Sequence, residues 1–273
     1  MKKGLLILLC FPLISLAQQT YVPDDIFEAH LEANGLGNGI PNDNYVTTSN
    51  ISNETYLVLY NMNISDLTGI EDFLSLTNLI LHHNQLTNID LSNNTSLIEF
   101  SASFNNLASL DLSNNLDLIE LHCSDNQLSS LNLSNNTNLD WVNCGDNQLT
   151  TLDLSNNINL IELACYNNQL SYLDLRNGNN INMAIYTHDN PNLTCINVDD
   201  STWSTANWTV YDGNIDSQFY FSTNCSPLSI QELTTNKELL KVTDLLGRET
   251  KQTNQPLFYI YDDGTVEKRI VIE

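Results

Sequence analysis

The chain has 273 residues, of which 41% are hydrophobic, and its formal net charge is −24. Residues 18–236 contain 26 acidic side chains and one basic side chain, Arg176. Affinity for nucleic acid comes largely from Lys and Arg that neutralise phosphates, so this distribution excludes a nucleic-acid partner. The hydrophobic content is high enough for a packed core.

Residues 1–17 predict a secretory signal peptide. They begin with two lysines, continue with an apolar run from Leu5 to Leu16, and end at a small-residue cleavage site after Ala17. The run is too short to span a bilayer, and no later stretch approaches the ~20 apolar residues of a membrane helix. We therefore expect an exported mature chain without an integral membrane segment, in a compartment that permits disulfides.

Residues 18–56 predict an N-terminal cap. The stretch VPDDIFEAHLEANG, residues 22–35, has Pro and Asp at its start, apolar residues at helical spacing and a glycine at its end. This pattern is typical of a short amphipathic helix. We expect the helix to cover the apolar end of the segment that follows.

A repeat of 21 residues fills the middle of the chain, as in LIELHCSDNQLSSLNLSNNTN, residues 118–138. Each copy contains LxxLxLxxN twice. The LxL triplets alternate inward and outward as strands do, so Leu110, Leu131, Leu152 and Leu173 should stack inside parallel strands about 4.8 Å apart. A single turn cannot bury its own apolar face, so the repeats predict a solenoid.

Two asparagine columns are predicted to satisfy backbone groups where the chain leaves a strand, because a short amide both donates and accepts. Gly178 interrupts the second column, which predicts that the regular array ends there. The first column is Asn84, Asn105, Asn126, Asn147 and Asn168, and the second is Asn94, Asn115, Asn136 and Asn157.

The pattern LxxLxCxxNQLxxLDLSNN over residues 57–199 resembles bacterial leucine-rich repeats of the 21-residue type. The resemblance implies a leucine-rich-repeat solenoid of short parallel β-strands and turns, with few helices, that acts by binding. Residues 200–227 then serve as a C-terminal cap. Cys195 and Cys225 are the two cysteines of the mature chain outside the repeats, so we expect a disulfide between them, with two buried thiols as the alternative.

Residues 228–273 predict a separate, small antiparallel β module, with turns at Gly247 and at Asp263-Gly264. The stretches KVTDLLGRETK, YIYDDGT and EKRIVIE resemble a short form of the C-terminal sorting domain of the type IX secretion system. The resemblance implies passage across the outer membrane of a Gram-negative bacterium by the type IX machinery, leaving the solenoid secreted or at the cell surface. A simple β-cap is the alternative.

Three cysteines, Cys123, Cys144 and Cys165, recur in an inward leucine position. Their spacing of 21 differs from the C-x2-4-C of compact zinc sites. Their Cβ atoms should point in parallel, which disfavours disulfides. We expect them to fill the core as small apolar side chains and to bind neither metal nor cofactor.

Two outward columns differ in their variability. Asp90, Asp111, Asn132, Asp153 and Asp174 form a uniform column, predicted as a solvated acidic face, with weak calcium binding as the alternative. The other column varies from turn to turn, as a shaped contact surface requires, although unselected drift would also vary it. The predicted partner-binding residues are Ile80, Ser101, His122, Asn143 and Ala164 of this column, with His82 and Tyr166 beside it.

No catalytic motif was found: G-x-S-x-G, H-E-x-x-H and phosphate-binding glycine loops are absent from the sequence. A polysaccharide lyase needs a base and cationic groups that neutralise the carboxylate of its substrate. The repeats contain one such cation, Arg176. We therefore predict a non-enzymatic protein that binds a protein or polysaccharide outside the cell. A structural envelope protein without a ligand is the alternative, and a polysaccharide-acting enzyme is the least favoured one.

Overall fold

Each 21-residue repeat forms one turn of a solenoid in the computed structural model of the protein. The chain divides into two units, Met1–Cys225 and Ser226–Glu273. The predicted signal peptide and the predicted turns at Gly247 and Asp263-Gly264 lie outside the described residues. The structure describes residues 18–210, 214–225, 239–243, 256–261 and 266–270.

Two strands and two helices precede the repeats. They are β1 (Gln19–Tyr21), α1 (Asp25–Ala33), β2 (Tyr45–Thr47) and α2 (Thr48–Ile51). The strands β1 and β2 pair antiparallel. Helix α1 begins after Asp24, whose carboxylate accepts the backbone N–H groups of Ile26 and Phe27 at 3.0 and 3.1 Å. This cap satisfies two N–H groups that have no partner within the helix.

Helix α1 packs against the first turn of the solenoid. Phe27 and Leu31 lie one helical turn apart and are fully buried, and the ring of Phe27 stacks on Phe73 with centroids 6.3 Å apart. Asp24 also fixes the start of the helix to this turn, because its Oδ2 accepts the N–H of Ser65 at 2.9 Å. Burial raises the pKa of Asp24, but its four backbone hydrogen bonds outweigh burial and lower it.

Seven parallel strands form the larger sheet. In spatial order they are β3 (Tyr56–Val58), β4 (Asn78–Ile80), β5 (Glu99–Ser101), β6 (Glu120–His122), β7 (Trp141–Asn143), β9 (Glu162–Ala164) and β11 (Ala184–Tyr186). Equivalent residues of successive turns lie side by side, as Leu121 does beside Val142. The predicted solenoid of short parallel strands is confirmed, because each turn supplies the pairing partner of the next.

The second half of the repeat pairs as strands only in the later turns. A smaller parallel sheet consists of β8 (Thr151–Asp153), β10 (Tyr172–Asp174), β12 (Cys195–Asn197) and β13 (Tyr220–Ser222). Residues 88–90, 109–111 and 130–132 keep the alternation of exposed and inward side chains without pairing. The expectation of strands in both halves of every repeat is therefore corrected. Just after each of these segments a backbone N–H bonds to a nearby side chain, as the N–H of Ser92 does to Asp90 Oδ1 at 2.9 Å. The N–H of Ser155 makes the same bond to Asp153 of the paired strand β8.

Columns of leucine fill the interior between the two halves of each turn. Burying one leucine side chain stabilises the fold by about 1.5–3 kcal/mol. In the predicted column of Leu110, Leu131, Leu152 and Leu173, Leu110 is half-buried and the other three are buried. Fully buried columns include Leu86, Leu107, Leu128, Leu149 and Leu170, and Leu97, Leu118, Leu139 and Leu160.

The first asparagine column joins each turn to the one before it. Asn126 Nδ2 donates to the carbonyls of Ala102, in the preceding turn, and Cys123, in its own turn, at 3.0 and 3.2 Å. Its Oδ1 accepts the N–H of Leu107 at 2.9 Å. The amide thus supplies partners that the backbone loses at the end of the strand. Asn84, Asn105, Asn147 and Asn168 are bonded in the same way.

The second asparagine column is also buried, and Asn136 Nδ2 donates to the carbonyls of Leu112 and Asn115 at 3.0 and 2.9 Å. Beyond Asn157 the column continues at Asn177, whose Nδ2 donates to the Asn157 carbonyl at 3.0 Å. The prediction that the array ends at Gly178 is wrong, since β11 adds a further turn to the larger sheet. The ladder position moves by one residue there, so a fixed 21-residue frame places glycine where the structure uses Asn177.

A short helix and a disulfide lie at the C-terminal end of the first unit. Helix α3 (Ser201–Asn207) begins after Asp200, whose Oδ1 accepts the N–H groups of Thr202 and Trp203 at 2.9 and 3.1 Å. A disulfide joins Cys195 to Cys225 with Cα atoms 5.8 Å apart. It connects the start of β12 to the chain just after β13.

Both tryptophans of this end pack against the core. Trp208 is buried and its Nε1 donates to the carbonyl of Met183 at 3.1 Å. Trp203 is partly buried and meets Trp208 edge to face at 5.7 Å. A buried indole with a hydrogen-bonded N–H is a structural side chain.

The second unit contains three strands, β14 (Leu239–Thr243), β15 (Pro256–Tyr261) and β16 (Val266–Ile270). They form an antiparallel sheet with β15 in the centre. Within the part of the chain that the structure describes, no helix has the length and apolar character needed to cross a membrane.

Candidate binding face

The outward surface of the seven-stranded sheet, called the sheet face below, contains the predicted contact residues. Parallel pairing places Val58 and Tyr186 at the two ends of the same column. His82 and Tyr166 each follow the column by two residues in their own turns. The aligned column consists of Ile80, Ser101, His122, Asn143 and Ala164.

Two members of the predicted column are covered by their neighbours. Ser101 is fully buried, and its Oγ lies 2.6 Å from Nε2 of His82. Ala164 is also buried, with 7% of its surface exposed. Ser101 and Ala164 therefore present little surface of their own, and their assignment as contact residues stays a prediction. Ile80, His122 and Asn143 stay partly exposed.

Three aromatic side chains form an exposed cluster along one edge of the sheet face. The rings of His83 and Phe104 stack with centroids 4.2 Å apart and planes 13° apart, and Tyr60 meets His83 edge on at 5.5 Å. Tyr60 and Phe104 are 56% and 46% exposed. Such ring pairs contribute about 0.5–1.5 kcal/mol beyond their buried area.

His83 and Phe104 occupy a left-handed backbone position that the other turns give to Asn or Asp. A left-handed conformation costs a side chain with a Cβ about 1–2 kcal/mol. Asn, Asp and His tolerate it, whereas a bulky side chain such as Phe is an outlier. The turn of Phe104 therefore holds its aromatic ring at a cost in stability. The position, with φ between 48° and 58°, is occupied by Asn61, His83, Phe104, Asp125, Asp146, Asn167 and Asp189.

A shallow cavity of about 420 Å³ lies beside this aromatic cluster. Its walls combine aromatic faces with hydrogen-bonding groups, which is the usual composition of a recognition site. The lining residues are Tyr60, His82, His83, Glu99, Ser101, Ser103, Phe104, His122, Ser124 and Asn143. The sheet face thus has a shaped depression where the repeats differ from one another.

Three histidines line the same cavity, and their mutual proximity affects His82. Burial is the largest cause that lowers the pKa of His82, and His122 and His83 lower it further, whereas Glu99 opposes them. His122 meets the ring of Trp141 edge to face at 5.1 Å. Its Nε2 lies 3.7 Å from Glu120 Oε2.

A second outward row of the sheet was not singled out from the sequence. Outward side chains come at both ends of each three-residue strand, so the residue before the buried central one faces the same side as the predicted column. This row carries Trp141, 39% exposed, between the carboxylates of Glu120 and Glu162. Applying the two-residue period in both directions from each buried strand residue would have found it.

At the far side of the sheet face, two carboxylates lie close to Tyr166. Burial raises the pKa of Asp125, and Asp146 raises it further. Burial also raises the pKa of Tyr166, with Asp146 and Asp125 acting in the same direction. The Tyr166 ring stacks on His188 with centroids 5.1 Å apart. The Tyr166 ring is therefore partly exposed on the sheet face, close to the carboxylates of Asp125 and Asp146.

The uniform column lies on the other half of the repeat, on a surface called the repeat face below. Asp90, Asp111 and Asp153 are exposed there, and each accepts the N–H of the serine two residues later at 2.9 to 3.0 Å. Asp174 differs because it is buried and bonded by Arg176 Nε at 2.9 Å. Burial raises the pKa of Asp174, but the bonds from Arg176 and Tyr172 outweigh it and lower the pKa.

The three repeat cysteines form a buried column on consecutive turns. Burial raises the pKa of Cys144 to about 12 and raises those of Cys123 and Cys165 well above their usual range. Neutral, buried thiols behave as small apolar side chains. Among the described residues, no three His, Cys, Asp or Glu side chains are placed to hold a metal ion.

Solved structures of bacterial leucine-rich-repeat proteins have a similar fold. The functional domain of InlJ from Listeria monocytogenes, which includes a cysteine ladder, matches with a TM-score of 0.54 and 30% identity over 67% of this chain. The fold is a leucine-rich-repeat solenoid. In this chain Cys123, Cys144 and Cys165 are free and buried. The chain spans 38% of the length of that InlJ chain.

Two further structures extend the comparison. Internalin C2 of Listeria monocytogenes has a TM-score of 0.46 and 22% identity, over 76% of this chain and 98% of its own. A leucine-rich-repeat protein of Leptospira interrogans has a TM-score of 0.38 and 25% identity, over 48% of this chain and 33% of its own. No protein-family model and no curated protein matches the sequence.

Proposed function

We propose that this protein is an exported leucine-rich-repeat binding protein that contacts a protein or glycan partner outside the cell through its sheet face. The observation that carries the proposal is the cavity beside Tyr60, His83 and Phe104. It lies on the half of the repeat where successive turns differ. The likeness to the InlJ functional domain supports the repeat fold on which this face is built.

The backbone of the aromatic cluster supports the same role. Positions that need a left-handed φ are given to Asn or Asp in five turns, but His83 and Phe104 stand there with φ of 57° and 58°. Stability alone favours Asn or Asp over Phe at position 104. Local strain that the surrounding structure maintains is common in binding and active sites. Partner contact is a reason to keep the Phe104 ring despite its cost.

Delivery to the cell exterior is the second part of the proposal. Residues 1–17 direct export as a signal peptide, and residues 228–273 direct transfer across the outer membrane by the type IX secretion machinery. The protein then acts in the medium or on the outer surface of a Gram-negative bacterium. The compact C-terminal unit with its three-stranded antiparallel sheet supports a sorting module.

A structural envelope protein without a specific ligand is the second candidate. The repeat face favours it, because Asp90, Asp111 and Asp153 repeat with the same serine hydrogen bond, and the cavity beside Asp111 and Asn132 measures about 220 Å³ against about 420 Å³ on the sheet face. Upkeep of the repeat alone produces such uniformity. Neither candidate assigns catalysis, a cofactor or a metal to the protein.

Binding through the sheet face is tested with a variant and a matched control. The full chain is immobilised and offered extracellular protein and polysaccharide extracts, and each retained component is purified and its affinity measured. We expect Tyr60→Ser with Phe104→Asn to weaken that affinity about tenfold, since aromatic anchors dominate interfaces. The control, Ser109→Ala with Ser130→Ala on the repeat face, leaves it unchanged. Equal affinity of both variants would refute the assignment.

The delivery route is tested by localisation of the intact gene product and of a product that ends at residue 227. We expect the full chain outside the outer membrane and the truncated chain in the periplasm. The truncated product retains the first unit and its disulfide, so we expect it to fold. Thermal melting checks this. Export of the truncated chain at the normal level would exclude a sorting role for residues 228–273.

A further inference from the structure

The sheet face presents carboxylates that pair with no Lys or Arg of the described residues 18–210. Glu99, Glu120 and Glu162 stand in one outward row, because in-register pairing aligns them across the strands. The side chain of Glu120 is 43% exposed. Asp125 and Asp146 stand at the left-handed corner beyond the strands. The sheet face therefore has carboxylates on both sides of its central column.

Basic side chains are missing from this part of the sequence. Arg176 is the one Lys or Arg within residues 18–236, and it is bonded to Asp174 on the smaller sheet. Two histidine–carboxylate pairs lie on the sheet face, His122 with Glu120 at 3.7 Å and His188 with Asp189 at 2.8 Å, and each is an ion pair only when the histidine is protonated. A cation that neutralises Glu99, Glu162, Asp125 or Asp146 therefore comes from outside residues 18–236.

Exposed aromatic rings lie between these carboxylates. Trp141 stands in the same row as Glu120 and Glu162, and Phe104 and Tyr60 border the cavity that Glu99 also lines. The face of an aromatic ring attracts Lys and Arg, and the attraction grows when a carboxylate is close enough to share the cation. The sheet face combines both groups.

We propose that the occupant of the sheet face is a cationic segment of another polypeptide, whose Lys or Arg side chains lie on Phe104, Tyr60 and Trp141 and pair with the neighbouring carboxylates. This inference rests on the binding role proposed above and adds the chemistry of the partner. Seven strands about 4.8 Å apart give a face roughly 29 Å long, which suits an extended segment. Charge complementarity distinguishes this occupant from an acidic glycan, which the same carboxylates repel.

The histidines that line the cavity make the affinity for a cationic segment depend on pH. His82, His83 and His122 face the same space, together with Glu99. Protonation of His82 adds positive charge where the cationic side chains bind. Binding is therefore strongest at neutral pH and weakens on acidification.

The test measures the affinity of the full chain for three labelled peptides of equal length: an arginine–serine repeat, a lysine–serine repeat and an uncharged glutamine–serine repeat. We expect the two cationic peptides to bind, more weakly at higher salt, and the uncharged peptide not to bind. The combined variant Glu99→Gln, Glu120→Gln and Glu162→Gln weakens cationic binding about tenfold.

A control of equal charge separates a specific face from the general attraction of an acidic protein. Asp90→Asn, Asp111→Asn and Asp153→Asn remove the same charge from the repeat face and keep the acceptors of their serine bonds. We expect this variant to bind the cationic peptides within about twofold of the original chain, since distant exposed charges are screened. Equal losses in the two triple variants would overturn the proposal.

A further arm distinguishes failure of the partner class from failure of the binding role. The same chains are tested with a neutral β-glucan and with N-acetylglucosamine oligomers. Glycan binding that is lost in Phe104→Asn, without binding of the cationic peptides, overturns the cationic partner and retains the binding face. If no probe binds at low salt, the cationic partner is also overturned, and the extract experiment above then decides the binding role separately.

Discussion

The ring of Tyr166 lies over Gly145 of the preceding turn, where an added Cβ would stand 2.6 Å from the ring Cζ. The same ring stacks on His188 of the following turn with planes 7° apart. The missing Cβ at Gly145 therefore leaves room for the Tyr166 ring, which contacts both the preceding and the following turn on the sheet face. In the earlier turns the corresponding position is occupied by Ser103 and Ser124, which carry a Cβ.

Gly145→Ala is expected to move the Tyr166 ring and break its stack on His188. The ring can shift at its outer end, so the cost in the free energy of unfolding is about 1 kcal/mol. Urea denaturation measures the cost, and NMR contacts between the two rings report the displacement. Ser124→Ala, at the same position one turn earlier, is the control and leaves both unchanged. Retention of the ring contacts in Gly145→Ala would contradict the steric argument.

Phe104→Asn is expected to leave stability unchanged or to raise it by up to about 1 kcal/mol. It removes a left-handed strain of about 1–2 kcal/mol and loses a ring stack of about 0.5–1.5 kcal/mol. The urea midpoint measures the net effect, and Asp125→Asn, at the same corner, serves as the neutral control. If Phe104→Asn destabilises the protein by much more than 1 kcal/mol, the ring is a structural element and not a binding group that stability opposes.

Asn126→Ala is expected to destabilise the solenoid by about 3 kcal/mol, because it leaves the buried N–H of Leu107 without a partner and removes one of the two amide donors of two buried carbonyls. The bonds lost are those to Ala102, Cys123 and Leu107. Chemical denaturation gives the difference. Asn135→Ala is the matched control: this exposed amide makes one bond of 3.4 Å to the Ser113 carbonyl, so the change should stay within about 0.5 kcal/mol. Similar losses in the two variants would argue against the ladder.

The thiols of Cys123, Cys144 and Cys165 are expected to resist alkylation in the folded protein and to react once it is unfolded. Burial raises the pKa of Cys144 to about 12, so the thiolate is scarce at neutral pH. Because the folded pKa is raised, these thiols stabilise the fold below the ordinary thiol pKa, and this contribution is lost as the pH rises through the folded value. Mass spectrometry after iodoacetamide treatment, with and without denaturant, checks this. Rapid labelling of the native chain would show an accessible column.

Acidification is expected to reduce stability through His82. Its lowered pKa means that the unfolded chain binds more protons between the two pKa values. The contribution of neutral His82 is therefore complete above the ordinary pKa of 6.5 and is lost as the pH falls through the lowered value. Urea midpoints between about pH 7 and pH 5 measure the slope. His82→Gln should flatten it, and an unchanged slope would assign the effect to other groups.

The sequence was sufficient to predict the solenoid because its signals are local and repeated. The leucine period and the asparagine columns recur four or five times and the inward cysteines three times, and parallel stacking is the arrangement that buries them together. The same regularity explains why the sequence did not predict Asn177 as a ladder residue. It lies 20 residues after Asn157, whereas a fixed spacing of 21 points to Gly178.

The sheet face was predictable in outline and less so in detail. A two-residue period gives the side of the sheet to which Ser101 and His122 belong, but burial depends on the size of the neighbours. Ser101 is covered because His82 reaches it from the preceding turn. The stacking of His83 on Phe104 depends on a left-handed backbone that residue preferences do not predict for an aromatic side chain.

The amides of the first asparagine column bond to their own turn and to the turn immediately before it, and those of the second column bond to the turn before. These ladder bonds join adjacent turns only, so each internal turn makes the same set of hydrogen bonds with the turn before it and with the turn after it. A whole 21-residue segment can therefore be gained or lost by recombination within the gene without a new interior having to evolve. The number of turns, and with it the reach of the sheet face, can change in unit steps between generations while each remaining turn keeps its own surface residues.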